Sequence, residues 1–183
     1  MKKIKLILVI IFLSTNFLYS QNQNINIIYP KVAEKDLINK PFPNFSLARD
    51  SALVTNEILK GKIVYINFWF AACSPCMQEM PQLNELYDKF KDDSNFIFIS
   101  ITYDEGKIET IKAKFEIKYP IYAIPIFESF RLNQTHSYPA NIIIDKNGII
   151  TFYETGTSGI NLLISKHFKN KIYPKLRKLL NGG

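Results

Sequence analysis

The stretch Lys62–Pro81, KIVYINFWFAACSPCMQEMP, decides the fold of this 183-residue chain. Its first part, Lys62–Phe70, is dense in β-branched and aromatic residues and predicts a buried central strand. The second part opens a helix at the cysteines, because apolar residues recur at helical spacing through Cys76–Phe90. A second apolar strand follows at Phe96–Thr102, so the region predicts a βαβ unit.

The rest of the chain predicts a mixed sheet with helices on both faces. The Pro-flanked segment Pro41–Leu47 is where we expect the ordered domain to begin. The remaining predicted elements are a helix around Lys107–Ile117, a short or edge strand in Ile121–Phe127, an antiparallel hairpin of Ala140–Ile144 and Ile149–Tyr153, and a closing helix Ile160–Leu180 interrupted at Pro174.

The N-terminus carries the pattern of a secretory signal peptide over residues 1–20. Met1–Lys5 is basic, Leu6–Leu13 is wholly apolar, and Ser14–Ser20 is a more polar segment that ends in a small residue. The alternative is an uncleaved membrane anchor, but the apolar run is far shorter than the roughly 20 residues of a spanning helix. We therefore expect a signal peptide, an extension over residues 21–40 and one domain over residues 41–183, located in the periplasm or cell envelope.

Charge gives little information about partners. The chain has 23 basic and 16 acidic residues; without the three lysines of the signal segment, 20 and 16 remain, a net charge of +4. No acidic residue follows Glu154, although six basic residues do. We interpret this stretch as a solvated helix face, with an anionic membrane surface or acidic partner as the alternative. No nucleic-acid motif accompanies it, and nucleic-acid binding is not predicted.

Cys73 and Cys76 are the only cysteines, and they lie two residues apart in the sequence CSPC. A purely structural disulfide is disfavoured, because closing so small a loop removes little unfolded-state entropy. A structural zinc site needs four ligands, and only His136 and His167 are available to join the two thiols. Covalent haem attachment needs His where Met77 stands. The pattern thus favours a redox-active dithiol, and we expect no metal or cofactor.

The spacing also assigns roles to the two thiols. A cysteine in the first turn of a helix meets unpaired N–H groups and the positive end of the helix dipole, which favour the thiolate. Cys73 is therefore the predicted attacking thiol. Cys76, one turn later, is the predicted resolving thiol, and Pro75 suits a first helical turn because its missing N–H costs nothing there.

The string NFWFAACSPCMQEMP at Asn67–Pro81, with PFPNFSL at Pro41–Leu47 and YPANIIID at Tyr138–Asp145, resembles the TlpA/ResA-like extracytoplasmic thiol–disulfide oxidoreductases. The resemblance implies an α/β thioredoxin-like fold, with an N-terminal β-hairpin extension and an inserted element in the middle of the fold. It also implies that Glu79 is the carboxylate of the active-site cleft and that Pro139 is a cis-proline facing the disulfide.

Elementary chemistry is consistent with both residues. Glu79 lies three residues after Cys76 and could exchange a proton with it; the alternative is a solvated surface glutamate. A cis bond at Pro139 would hold the Tyr138 backbone open for strand-like pairing with a substrate; the alternative is an ordinary trans proline. Ala72 stands where many family members carry Trp, so we assign Trp69 to the substrate groove, with Phe70 as another candidate for its aromatic wall.

The resemblance predicts an enzyme that reduces disulfides of exported proteins, including cytochrome c precursors, as a monomer recharged by a membrane thiol donor. Three other activities stay open. One is a disulfide-introducing oxidant, since the CxxC motif alone does not set the direction. Another is a peroxiredoxin-type peroxidase, although Phe70 stands where its threonine belongs. The third is a Cu(I)-binding module that uses the two thiolates with Met77 or His136.

Overall fold

Strands and helices alternate through the computed structural model, which describes residues 29–49, 52–156 and 161–182. The elements are α1 Glu34–Leu37, β1 Ser46–Arg49, β2 Ala52–Thr55, β3 Ile63–Trp69, α2 Ser74–Phe90, β4 Phe96–Thr102, α3 Ile108–Phe115, β5 Ile121–Ala123, α4 Ile126–Asn133, β6 Ala140–Ile144, β7 Ile150–Thr155, α5 Asn161–His167 and α6 Tyr173–Asn181. A 3₁₀ turn, Glu105–Lys107, precedes α3, and a π turn, Phe168–Ile172, joins α5 to α6.

Five strands form the central sheet in the order β5-β4-β3-β6-β7. β3 is parallel to β4 and antiparallel to β6, and every residue of β3 is buried because the strand is central and covered on both faces. One core cluster joins the sheet to α2 and the C-terminal helices; the other joins it to α1, α4 and the β1–β2 hairpin segment. The predicted mixed sheet, helices on both faces and N-terminal hairpin are confirmed, and α3 and β5 lie between β4 and α4.

The parallel pairing of β3 and β4 creates the edge on which the cysteines lie. Trp69, the last residue of β3, is paired with Thr102, the last residue of β4. Residues after the two strands therefore emerge side by side, as is usual at the carboxyl end of parallel strands. Asp104 ties the two loops together, because its Oδ2 accepts a 2.6 Å hydrogen bond from the Ala71 N–H.

A row of polar residues crosses the sheet on its α2 face. Asn67 is the register partner of Ser100 on β4 and of Asn141 on β6, and Asn141 is in turn the partner of Glu154 on β7. Ser100, Asn67 and Asn141 are fully buried. We call these four residues the polar row. The three buried members bring hydrogen-bonding groups into a core that is mainly apolar.

Two predicted elements need correction. The strand predicted within Ile121–Phe127 ends at Ala123, because Pro125 is the N-cap of α4, a helix that the sequence interpretation missed. The last helix is interrupted at the π turn rather than at Pro174. Pro174 lies in the first turn of α6, where a helix tolerates proline. The π turn accommodates one extra residue, so four apolar residues spaced by four all remain in the core: Ile164, Phe168, Ile172 and Leu176.

The packed part of the chain begins before Pro41, contrary to expectation. Leu37 on α1 is buried, and Glu34 accepts a 3.0 Å hydrogen bond from the Thr155 N–H of β7. The predicted signal peptide, residues 1–20, lies outside the described residues. Within residues 29–49, 52–156 and 161–182, no helix combines the length and the apolarity needed to cross a membrane.

Candidate active site

A disulfide joins Cys73 and Cys76 at the start of α2, with their Cα atoms 5.2 Å apart. Cys73 is the N-cap residue of the helix, and its Sγ accepts a 3.2 Å hydrogen bond from the Cys76 N–H. Cys73 is 5% exposed and Cys76 only 1%. Cys73 is therefore the more accessible of the two residues, and its sulfur receives one N–H donor from the first turn of the helix.

This placement can support thiol–disulfide exchange. In the reduced protein, a backbone N–H donor and the positive end of the α2 dipole favour a thiolate at Cys73. Ser74 and Pro75 carry no charge, so no cation stands between the cysteines to strengthen that effect. Cys76 lies one helical turn further in, where it can reach a disulfide formed on Cys73.

Glu79 lies on the same helix, three residues after Cys76, and is fully buried. The alternative of a solvated surface glutamate is therefore wrong. Its Oε2 accepts a 3.0 Å hydrogen bond from Nδ2 of Asn141, a member of the polar row. Residues three apart on a helix are neighbours on its surface, so the carboxyl group lies within one turn of the inner cysteine.

Asn141 is itself held by two further buried side chains. Its Oδ1 accepts hydrogen bonds from the hydroxyl of Tyr65, at 2.8 Å, and from Nδ2 of Asn67, at 2.9 Å. Burial, followed by the charge of Glu79, raises the pKa of Tyr65 well above its usual value, and the same two causes raise the pKa of Tyr119. Both tyrosines consequently remain neutral at any pH at which a thiol exchanges.

The Tyr138–Pro139 peptide bond is cis, which confirms the conformation that the resemblance implied. The Pro139 carbonyl accepts a 2.9 Å hydrogen bond from the Gly156 N–H, which fixes this position to the end of β7. The Tyr138 hydroxyl lies 2.8 Å from Oγ of Ser129 on α4. The segment before β6 is thereby fixed by contacts to the end of β7 and to α4.

Three aromatic rings meet at this edge of the sheet. Phe70 stacks on Tyr103 with ring centroids 5.6 Å apart and meets Tyr138 edge-on at 5.3 Å. All three side chains are partly exposed. We call Phe70, Tyr103 and Tyr138 the aromatic cluster. It supplies an apolar surface beside the disulfide although Ala72 lacks a ring.

The assignment of Trp69 to the substrate groove is wrong. Trp69 is fully buried, and its Nε1 donates a 2.8 Å hydrogen bond to Oγ of Ser100. It is the last residue of a central strand and faces the core that contains both cysteines. Trp69 can therefore respond to the redox state of the pair, but it has no surface to offer a substrate.

Sequence interpretation missed Tyr103 and the polar row. Tyr103 directly follows β4, as Phe70 follows β3, so the parallel βαβ unit already implies that the two rings are neighbours. The polar row has a fainter signal: one polar residue interrupts each apolar run, Asn67 in the first strand, Ser100 in the second and Asn141 in the third. Their alignment depends on strand register, which the sequence does not display.

Comparison with known proteins agrees with this geometry. The Redoxin family profile matches residues 37–163. A thiol-disulfide oxidoreductase ResA of Bacillus cereus is 35% identical over 121 residues, which cover 63% of this chain and 68% of the relative. ResA of Bacillus thuringiensis (strain Al Hakam) is 30% identical over 152 residues, 80% of each chain.

Solved structures show the same fold. A chain described as a putative thiol:disulfide interchange protein DsbE from Chlorobium tepidum superposes with a TM-score of 0.66 at 22% identity, covering 78% of this chain and 97% of its own. That likeness concerns the fold alone. Together with the family profile, the ResA relatives and the Cys73–Cys76 pair, it leads to one conclusion. The chain belongs to the Redoxin family and is a TlpA/ResA-like thiol–disulfide oxidoreductase of the thioredoxin superfamily.

Proposed function

We propose that this oxidoreductase works outside the cytoplasm and reduces disulfides of exported proteins, including cytochrome c precursors. The observation that carries the direction is the buried Glu79 on the helix of the cysteines, with no cation between Cys73 and Cys76. A negative group near a thiol disfavours the thiolate and so favours the disulfide over the dithiol. A dithiol that prefers to be oxidised is a donor of electrons.

The reaction begins at Cys73. Its thiolate attacks one sulfur of a substrate disulfide, a mixed disulfide forms, and the other substrate sulfur leaves as a thiolate. Cys76 then attacks Sγ of Cys73, which restores the disulfide seen here and releases the second substrate sulfur. The two enzyme thiols are oxidised and the two substrate sulfurs are reduced, so the electrons balance.

Glu79 takes part in the second step. Cys76 must lose a proton before it attacks, and its burial makes solvent a poor acceptor. The ionised Glu79 carboxyl group, one turn away, takes that proton and later returns it to the leaving thiolate or to water. Burial without solvent contact would leave such a carboxyl group protonated, and the Asn141 hydrogen bond opposes this tendency.

Substrate binding and recharging complete the proposal. The Tyr138 backbone before the cis Pro139 pairs with an extended substrate segment, and the aromatic cluster contacts side chains next to the substrate's cysteine. A dithiol donor at the membrane reduces the Cys73–Cys76 disulfide between cycles, and the enzyme acts as a monomer. The signal-like residues 1–20 support the extracytoplasmic location.

The equilibrium reduction potential of the pair tests the direction. The protein is equilibrated in defined thiol buffers, and the fraction reduced is followed by Trp69 fluorescence and by alkylation with mass spectrometry. A potential near or below about −250 mV supports a reductase. A potential near about −120 mV would mean a disulfide-introducing oxidant and would overturn the proposed direction.

Location has a separate test. The full chain is expressed in a bacterium with an outer membrane, the compartments are separated, and the N-terminus of the product is sequenced. A periplasmic protein that begins at Gln21 supports the proposal. A full-length product in the membrane fraction would instead support an anchor, and a full-length cytoplasmic product would contradict export.

A further inference from the structure

Tyr65 and Asn67 orient the side-chain amide of Asn141. Its Oδ1 faces two donors, the Tyr65 hydroxyl and the Asn67 amide, on the neighbouring strand. A side-chain amide has one acceptor atom and one NH₂ group, so these two donors turn the NH₂ group toward Glu79. The Nδ2–Oε2 distance of 3.0 Å shows that the NH₂ group meets the carboxyl group there.

We propose that Asn141, oriented by Tyr65 and Asn67, is a positioning residue that fixes the Glu79 carboxyl group and favours its ionised form during resolution by Cys76. This inference rests on the proton-accepting role proposed for Glu79. A hydrogen-bond donor directed at a carboxyl oxygen favours the charged form, whereas burial favours the neutral one. The Asn141 amide therefore opposes the effect of burial at this carboxyl group.

The described residues around the polar row include tyrosines whose charge does not change over the pH range of thiol exchange. Tyr65 and Tyr119 stay neutral because burial raises the pKa of each. Burial likewise raises the pKa of Tyr173 to about 12. Glu154, at the far end of the polar row, forms an ion pair with Lys171 at 2.9 Å, and Nε2 of His167 lies 2.9 Å from its other carboxylate oxygen. In the described part of the chain, the titratable groups near Glu79 include Cys76 on α2, Tyr65 on β3 and Tyr119 before β5. Glu154 on β7 and Tyr173 on α6 act on Tyr65.

The test separates the two steps of exchange. Reduced protein is mixed with 5,5′-dithiobis(2-nitrobenzoate), a small disulfide whose released thiolate absorbs visible light. The first release reports attack by Cys73 and the second reports resolution by Cys76; a Cys76→Ser variant, which lacks the second, assigns the phases. Both rates are measured by stopped flow from pH 5 to pH 9.

Asn141→Ala should shift the midpoint of the second phase's pH profile to higher pH by about one unit, because it removes a hydrogen bond to a charged group. Well below the midpoint this shift corresponds to about a tenfold slower release, while the first phase stays as in the wild type. Tyr65→Phe keeps the ring in the core and deletes one of the two donors, so it should give a smaller shift in the same direction. It also keeps the test open should Asn141→Ala fail to fold.

Tyr173→Phe is the matched control, because within the described part of the chain the buried Tyr173 hydroxyl has no hydrogen-bond partner. It should leave both profiles unchanged. Unshifted profiles in Asn141→Ala and Tyr65→Phe would overturn the inference. A downward shift would overturn it too, because Asn141 would then be accepting a hydrogen bond from a protonated Glu79.

Glu79→Gln distinguishes this failure from a failure of the proposed function. One outcome is that Glu79→Gln abolishes the pH dependence of the second-phase rate while Asn141→Ala leaves its midpoint unchanged. In that case only the role of Asn141 is disproved. If Glu79→Gln has no effect, the proton-accepting role of Glu79 fails, and the inference fails with it. The direction of electron flow is tested independently by the reduction potential.

Discussion

Nε1 of Trp69 donates a 2.8 Å hydrogen bond to Oγ of Ser100, so the only tryptophan of the chain is fixed to the neighbouring strand within the core that holds the disulfide. Both side chains are fully buried. Without this bond the indole N–H would have no acceptor and no access to water. The bond therefore contributes to stability and fixes the probe that reports the redox state.

Ser100→Ala should lower the free energy of unfolding by about 1–3 kcal/mol, because it leaves a buried N–H donor unsatisfied. Urea unfolding followed by circular dichroism measures the loss. Ser94→Ala, at an exposed serine before the same strand, should change the free energy by less than about 0.5 kcal/mol. Equal stabilities for the two variants would contradict the structural role of Ser100.

The two cysteines should behave differently when each is replaced. Cys76→Ser leaves the more exposed thiol without its resolving partner, so a stable mixed disulfide should accumulate on Cys73 when a disulfide-bonded protein is added. Cys73→Ser should form little or none, since the remaining thiol is 1% exposed. Non-reducing electrophoresis with mass spectrometry detects the adduct, and the opposite pattern would reverse the roles of the two thiols.

Tyr103→Ala removes one ring of the aromatic cluster without touching the disulfide. We expect the KM for protein disulfides to rise about threefold to tenfold, because an aromatic contact contributes about 0.5–1.5 kcal/mol. The rate with a small disulfide should change less, since it has no neighbouring side chains to contact the cluster.

Ile58→Ala is the control for this prediction. Ile58 is an exposed apolar residue before β3, at the end of the sheet opposite the cysteines, and its loss should alter neither reaction. An equal effect of Tyr103→Ala on both kinds of substrate would place its role in the redox chemistry rather than in binding.

His167 gives stability a pH dependence. Desolvation lowers the pKa of His167 in the folded protein, although the nearby Glu154 opposes the shift. The unfolded chain therefore binds this proton more readily than the folded one. Its contribution to stability is complete above the unfolded value of about 6.5 and is lost as the pH falls through the lower, folded value.

Urea unfolding between pH 7.5 and pH 4.5 should show this decline, and His167→Gln should remove its part of it. His136→Asn is the control, with Asn chosen because His136 has a left-handed φ of 55°. The decline should persist in that variant. A decline that survives in His167→Gln and disappears in His136→Asn would show that the wrong histidine was assigned.

The parts of the fold that depend on local pattern were predictable. β3, α2 and β4 match their predicted ranges within two residues, because long apolar strands and a helix with regular spacing leave little ambiguity. α4 was missed because Pro125 follows an apolar run and suggests a shortened strand, whereas a proline at that point can equally begin a helix.

The site was predictable to the extent that it is local. Cys73, Cys76 and Glu79 lie within one short segment, and helical spacing relates them directly. Asn141 reaches Glu79 from 62 residues away, and Tyr65 reaches Asn141 from 76 residues away, so both contacts depend on the pairing of β3 with β6. Trp69 was misplaced because an aromatic residue at a strand end can face the core as readily as a cleft.

The π turn at Phe168–Ile172 also sets the rotational phase of the last helix. Each residue of an α-helix advances the chain by roughly 100°, so deleting one residue from the turn would rotate everything after it by that angle. Leu176 would swing out toward water, and Arg177 would move into its place facing the core. The one extra residue of the π turn therefore determines which side of the last helix, apolar or basic, faces the core.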